Sequence, residues 1–412
     1  LSGAWNAHEE SWFEKLKPVL SNFTAKLSYS LTADRGPSSI TNSRAVIKAD
    51  NRWRPSANDK ESSLYIAWLA NNDLTYEKKH ELNFGIDAGF LNNRINFTFD
   101  IYTRRNYDLI GATNTMGVGG ETTKYGNVAK MKSNGVELSL NTVNIKTKDF
   151  TWTTDFIYSH MHNEVTELNT LNRLYDYISG YGFTMPGYPQ RSLFSIPFAG
   201  LNNEGLPTFY DPDGNITVTG IDMQEYDPER LKFLKYEGPA DPTDVGSLGN
   251  IFRYKNLTLN LFITYSFGNV VRLDPVFSSE YSDLTATPKE FNNRWIKPGD
   301  EKFTNIPVIA SRQQLNNIAY LSRAYQSYNY STARVAKGDF IRMKEISLAY
   351  EFPKTLTQPL HLSNLSLKLQ ATNLFLLYAD KKLNGQDPEF FNTGGVATPM
   401  PKQFTLTLKF GI

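Results

Sequence analysis

The residues whose types could do chemistry are few and scattered. Of the five histidines in 412 residues, only His160 and His162 stand close. Two positions apart, they share a strand face, a spacing able to hold a metal. A solvated wall or an ordinary strand end is the favoured reading of that pair. There is no cysteine, hence no disulfide, thiolate ligand or thiol nucleophile. No G-x-S-x-G elbow and no Ser/His/Asp spacing appear, so no enzyme is expected. Asp211-Pro212-Asp213-Gly214-Asn215 places oxygen ligands at i, i+2 and i+4 around a turn glycine, like the opening of a calcium loop. An EF-hand would then need Glu at position 222, where the chain has Asp222. A plain Asp-Gly turn is favoured. A degenerate Ca²⁺ or Mg²⁺ site at Asp211, Asp213 and Asn215 is the alternative, and otherwise no cofactor is expected.

Aromatic side chains are the richer resource, at 13% of the chain with 23 Tyr and 26 Phe. One group is Tyr175, Tyr177, Tyr181, Phe183 and Tyr188; another is Tyr320, Tyr325, Tyr328 and Tyr330, preceded by Phe291 and Trp295. Rings set in polar loops suit stacking on sugars, and Tyr is also favoured where proteins meet. Packing among the loops, contact with a protein partner and contact with a ligand are the three roles open to them, in that order.

These loops need a scaffold, and the end of the chain shows what it is. In Gln403–Ile412 the residues Phe404, Leu406, Leu408 and Phe410 fall on one face, with Thr405, Thr407 and Lys409 on the other. Period-two alternation reads as a β-strand. The same pattern recurs at Asn22–Ala33, in a hairpin turning at 91–94, in a second turning at 146–149 and in a third turning at 254–256. It returns in the strands near 339–352 and 365–377. Weaker strands are expected near 44–53 and 64–70, and a short amphipathic stretch at Trp12–Leu16. The turns at 91–94, 146–149 and 254–256 are short. The connections near 107–130, 165–189, 271–337 and 378–401 are long and rich in Gly, Pro, Asn and Tyr. Long structureless loops are unusual in compact soluble domains. Short turns on one side and long loops on the other are the habit of outer-membrane barrels.

Composition is compatible with a membrane wall made of strands. Net charge is +1, so nothing argues for nucleic acid. No run approaches the roughly 18 apolar residues of a membrane helix, but barrel strands alternate and need none. The apolar rows end in Tyr158, Tyr265, Tyr350 and Tyr378, as aromatic girdles do. The opposite rows hold Asn96, Thr98 and Asp100, or Lys368 and Gln370, which a watery lumen accepts and a dry core does not. The fold class expected is therefore all-β, a transmembrane antiparallel β-barrel, with about ten to fourteen strands in this chain.

Five stretches also resemble a known family. Asn72-Asp73-Leu74-Thr75-Tyr76-Glu77-Lys78, followed by Leu82–Asp87 and Phe90-Leu91-Asn92-Asn93-Arg94, is similar to the NPDLKWEK…NIGLDFGFLNNRI pattern of SusC/RagA-type TonB-linked outer-membrane transporters. Ser133-Asn134-Gly135-Val136-Glu137-Leu138-Ser139-Leu140-Asn141-Thr142 resembles their NKGVELSLNT. Gly338-Asp339-Phe340-Ile341-Arg342-Met343-Lys344 with Ile346–Tyr350 resembles GSFLRLKNITLGY. Asn373-Leu374-Phe375 and Gln386-Asp387-Pro388-Glu389 complete the series in register. The resemblance implies that residues 1–412 are the C-terminal portion of a barrel of about 22 strands. The plug, TonB box and N-terminal domain would then lie outside this chain. Its opening at Leu1, without initiator Met or leader, reads as a mature start or as a piece of a longer protein.

What the resemblance further implies is active import of glycans and oligosaccharides, or of peptides, across the outer membrane of a Gram-negative bacterium. The TonB complex would energise it through the missing N-terminal part. A SusD-like substrate-binding lipoprotein would be the partner. The strand Phe404–Ile412 would direct insertion and close the barrel. The alternative is a complete, smaller barrel serving as a passive porin or adhesin.

Overall fold

The computed structural model describes residues 1–36, 44–53, 60–117, 122–170, 172–180, 182–275, 289–390 and 401–412. One antiparallel sheet of eleven strands runs through it in sequence order. We number them β1 (Ser2–Asn6), β2 (Leu20–Asp34), β3 (Glu77–Phe90), β4 (Ile95–Asn114), β5 (Thr123–Lys146), β6 (Phe150–Leu168), β7 (Asp244–Tyr254), β8 (Leu257–Phe267), β9 (Phe340–Glu351), β10 (Asn364–Ala379) and β11 (Gln403–Gly411). Each strand pairs antiparallel with the next in this series, so the sheet is built without a crossover. The three short turns stand where the sequence puts them. Leu91, Asn92 and Asn93 all take the left-handed backbone conformation (φ 53°, 56° and 61°), which Asn tolerates better than most residues.

Following the register across the sheet separates its two faces. Phe23, Ala88, Phe97, Leu140, Phe156, Leu248, Ile263, Met343 and Phe375 form one cross-strand row. Trp152, Phe252, Leu259, Leu348, Leu369 and Leu406 form another below it. This face is apolar yet exposed: Leu369 is 52% and Leu406 68% accessible. Such an area of bare hydrocarbon-like surface faces lipid, not water. Aromatic residues bound it at both ends. Tyr158, Tyr265 and Tyr378 stand in one row toward the long loops, whereas Tyr254 and Tyr350 flank the short turns. Gly246 lies in the upper row under the Tyr265 ring, whose hydroxyl donates to the Ile157 carbonyl at 2.9 Å. The other face carries Asn96, Thr98, Asp100, Lys368 and Gln370. Some of its charges are paired, as Arg104 Nε is with Glu81 at 2.7 Å and Lys368 Nζ with Glu345 at 3.6 Å.

Some expectations are corrected. The 107–130 connection is largely strand, because β4 runs to Asn114 and β5 begins at Thr123. Irregular register at Asn106/Leu109 and Leu109/Ile110, with Asp108 at φ 55°, breaks the period and hides the continuation. β1 is a further edge strand; Ser2-Gly3-Ala4-Trp5-Asn6 has no alternation, and backbone pairing to β2 makes it a strand. The stretch at Trp12–Leu16 is a short 3₁₀ helix, Ser11–Lys15. The two weak strands are real, Val46–Trp53 and Lys60–Trp68, and pair with each other apart from the main sheet.

Above the long-loop ends of β6–β9 the connections fold into a second layer. Ser192–Ser195 pairs with Lys235–Pro239, and Val270–Arg272 with Val335–Lys337. The helices Leu174–Ile178, Pro228–Leu231 and Leu321–Asn329 pack beside them. Leu174, Ile178, Phe194, Ile196, Phe209 and Leu321 form its fully buried centre.

Candidate functional site

The long loops meet at one seam. Gly180 from the first long connection faces Arg272–Pro275 and the helix Leu321–Asn329 from the second, around an open cavity of about 500 Å³. The sequence-expected aromatic residues converge here, though most point into the layer. Tyr325 and Tyr328 are each only 1% exposed. The Tyr325 hydroxyl donates to the Val308 carbonyl at 3.0 Å, and Tyr328 stands edge-on to Phe198. Tyr177 packs edge-on against Phe183 and Phe194. Trp295 lies over Gly205 and donates Nε1–H to Glu301 at 3.0 Å. Phe291 packs at the margin of the same core. Tyr175 meets Tyr330 edge-on, with ring centroids 5.8 Å apart, and Tyr330 lines the cavity. Of that set, then, Tyr325 and Tyr330 line the cavity, while Tyr175, Tyr177, Tyr188, Tyr328 and Phe291 pack in the core of the layer. Tyr181 lies outside the described residues.

Sequence reading missed the cations. Arg272 lines the cavity floor and donates to Ser195 Oγ at 3.0 Å, the Ser331 carbonyl at 3.3 Å and the Phe194 carbonyl. Burial pushes its guanidinium down to about 10, with the nearby Glu237 opposing that, so it stays charged at neutral pH. Arg334, 2% exposed, pairs with Glu290 at 2.6 Å and donates to the Asp274 carbonyl at 2.6 Å. Both arginines staple chain segments some sixty to eighty positions apart, which no local pattern announces. Arg342 of β9 is buried and binds Asp387, with Glu389 at 3.0 Å. Two of the family-like stretches are therefore joined by ion pairs. Arg272, Gln326 and Asn329 side chains beside a Tyr ring suit binding of a polar ligand.

Asp211 Oδ1 accepts the backbone N–H of Asp213 at 2.9 Å and of Asn215 at 2.8 Å, so this loop is an Asp-Gly turn closed on its own amides. Asp222 caps a different turn, accepting from Gln224. Among the described residues no three His, Asp or Glu side chains cluster as a metal site would. His160 and His162 stand on the outward face near the long-loop end of β6. His160 Nδ1 lies 2.9 Å from Asp244.

A lipid-facing sheet bounded by aromatic rows, with short turns below and long loops above, is the wall of an outer-membrane transporter barrel. Comparison with known proteins agrees. No family model matches the sequence. TonB-dependent receptor P3 of Formosa agariphila is 25% identical over 409 residues, covering 94% of this chain and 37% of that receptor. TonB-dependent receptor SusC of Bacteroides thetaiotaomicron is 25% identical over 427 residues, covering 99% of this chain and 39% of its own length. Among solved structures, the RagAB peptide transporter matches with a TM-score of 0.76 at 24% identity, over 99% of this chain and 43% of that one. The chain thus spans about two-fifths of the length of the curated relatives it matches. The resemblance to SusC/RagA-type TonB-dependent transporters holds along almost the whole chain. Its place is the outer membrane of a Gram-negative bacterium.

Proposed function

We propose that this chain is the C-terminal half-wall of a TonB-energised nutrient importer, whose plug and remaining strands belong to the same protein. The observation that carries this reading is the pair of open edges. β1 and β11 are each hydrogen-bonded to one neighbour in the described sheet, yet the sheet presents a face fit for lipid. Unpaired backbone at an edge is too costly in a bilayer to stand alone. Eleven strands are half of the roughly 22 of a plugged transporter barrel. Phe404, Leu406, Leu408 and Phe410 would then seal the seam from the lipid side.

The cargo we propose is an oligosaccharide, with a peptide as the alternative. The RagAB likeness favours the peptide; the Tyr330 ring and the hydrogen-bonding rim suit either. A SusD-like lipoprotein would cover the loop layer, and TonB would act through the plug portion. Gentle extraction from the native membrane tests the assembly. A plug-bearing polypeptide and a surface lipoprotein should travel with the chain. A heat-modifiable barrel running alone at 46.8 kDa would sink the proposal in favour of a passive pore. Uptake of labelled oligosaccharides and peptides by cells then separates the two cargo classes.

A further inference from the structure

The outward face carries a feature apart from the loop cavity. Above the apolar band, one cross-strand row reads Leu31, His80, Arg105, Lys132 and Glu164. The next row down reads Tyr29, Leu82, Thr103, Asn134 and His162, and the next Leu27, Phe84, Ile101, Val136 and His160. A row of cationic and imidazole groups thus caps a groove of about 360 Å³, floored by Leu82, Phe84, Ile101 and Val136 and edged by His160 and His162.

The height of this row is set by strand geometry. Arg105 stands roughly ten residues above the short turn at the start of β4. At about 3.4 Å per residue and a tilt of about 40°, that is roughly 26 Å, the height of the apolar band of such barrels. Arg105 therefore lies where acyl chains end and head groups begin, on the long-loop side, which faces the cell exterior.

The charges of this strip are engaged, with one exception. Lys132 pairs with Glu164 at 2.9 Å, Lys78 with Asp108 at 2.7 Å and Lys130 with Glu167 at 2.6 Å. His80 is 2.7 Å from the Tyr29 hydroxyl. Arg105 is exposed and, among the described residues, has neither an ion-pair nor a hydrogen-bond partner. Its planar fork is the side chain best matched to a phosphate. An unpaired guanidinium above an apolar groove is complementary to a lipid that carries both an anion and acyl chains.

We propose that Arg105, flanked by His80 and Lys132, holds the phosphate of an outer-leaflet glycolipid, with one acyl chain lying in the groove below. The site fixes the barrel's depth and tethers one annular lipid. The protein extracted from its own membrane, exchanged into nanodiscs with lipid A or with dephosphorylated lipid A, tests this by native mass spectrometry. Wild type should retain lipid A through detergent transfer. Arg105→Ser should retain it roughly ten-fold less, the loss expected for a charge-assisted bidentate contact. Lys255→Ser, at a short turn on the opposite end, should match wild type. Equal retention by Arg105→Ser, or equal retention of the dephosphorylated lipid by wild type, overturns the proposal. The second comparison needs no variant, and heat-modifiable migration confirms that each variant is folded.

Discussion

The strand wall and the loop layer above it are built on opposite terms. The wall leaves its large apolar residues bare on one side, Leu369 at 52% and Leu406 at 68% exposure. It relies on lipid for their burial, and its order comes from antiparallel neighbours paired in sequence order. The layer buries its apolar residues in itself, Leu174 at 1% and Ile178 at 0%. Its segments come from distant stretches of chain and are pinned by buried arginines. Lipid tails are as apolar as Leu, so the wall gains little from any single side chain. The layer works as a close-packed core, where each volume counts.

The largest effect should come from the arginine staples. Arg334→Ala leaves Glu290 without its partner and the Asp274 carbonyl without its donor. Removing one member of a buried pair costs about 3–5 kcal/mol. Proteolysis of the loop segments around 190–240 should accelerate strongly, while heat-modifiable migration of the barrel stays unchanged. If barrel migration collapses together with the loops, the two regions are one cooperative unit and the contrast fails.

A matched pair of leucines sharpens the same contrast. Leu174→Ala should destabilise the layer by about 2–5 kcal/mol, the cost of a cavity in a packed core. Leu369→Ala on the lipid face should cost less than about 1 kcal/mol, because lipid refills the space. Leu369→Arg should cost about 2–4 kcal/mol if that position sits near the bilayer midplane. Urea titration of the protein in liposomes reads all three. Equal costs for the two alanine variants would mean that another protein surface covers the Leu369 face.

Glycine under an aromatic ring offers a test within the wall itself. A Cβ on Gly246 would meet the Ile157 carbonyl and the Tyr265 ring. Gly246→Ala should therefore cost about 1–3 kcal/mol, as overpacking does, by lifting Tyr265 off the sheet. Gly249→Ala, whose Cβ meets Phe262 and Asp155 only at ordinary contact distances of 3.6 and 3.7 Å, should be milder.

What the sequence revealed follows the same division. The wall was legible because a membrane strand must alternate, and Leu82–Phe90, Ile95–Ile101 and Phe404–Ile412 do so without interruption. It became illegible where bulges shift the period, at Asn106–Ile110, and where pairing alone makes a strand, at Ser2–Asn6. In the layer, the aromatic groups were visible but their orientation was not. Tyr325 and Tyr328 read like Tyr320 in sequence, yet the first two are buried and Tyr320 is 63% exposed. Arg272, Arg334 and Arg342 were invisible as site residues, because their partners lie far away in the chain. Only Arg342 left a trace, since both it and Asp387 sit in stretches that resemble the family.

Alkaline pH supplies the mildest probe of whether the layer loosens on its own. Burial pushes the Tyr328 phenol up to about 12. Burial, and then the hydrogen bond with Tyr175, does the same for Tyr330. In the unfolded chain these phenols ionise near the ordinary value of about 10. A raised folded value means the fold favours the neutral phenol. That contribution is fully present below pH about 10 and is lost as pH rises toward about 12. Near-UV circular dichroism should therefore fade between those limits while far-UV strand signal persists. Tyr328→Phe, which removes one ionising hydroxyl from the core, should move the fading to higher pH. Simultaneous loss of both signals would show that the layer and the wall yield together, and that the loop core supports the strands beneath it.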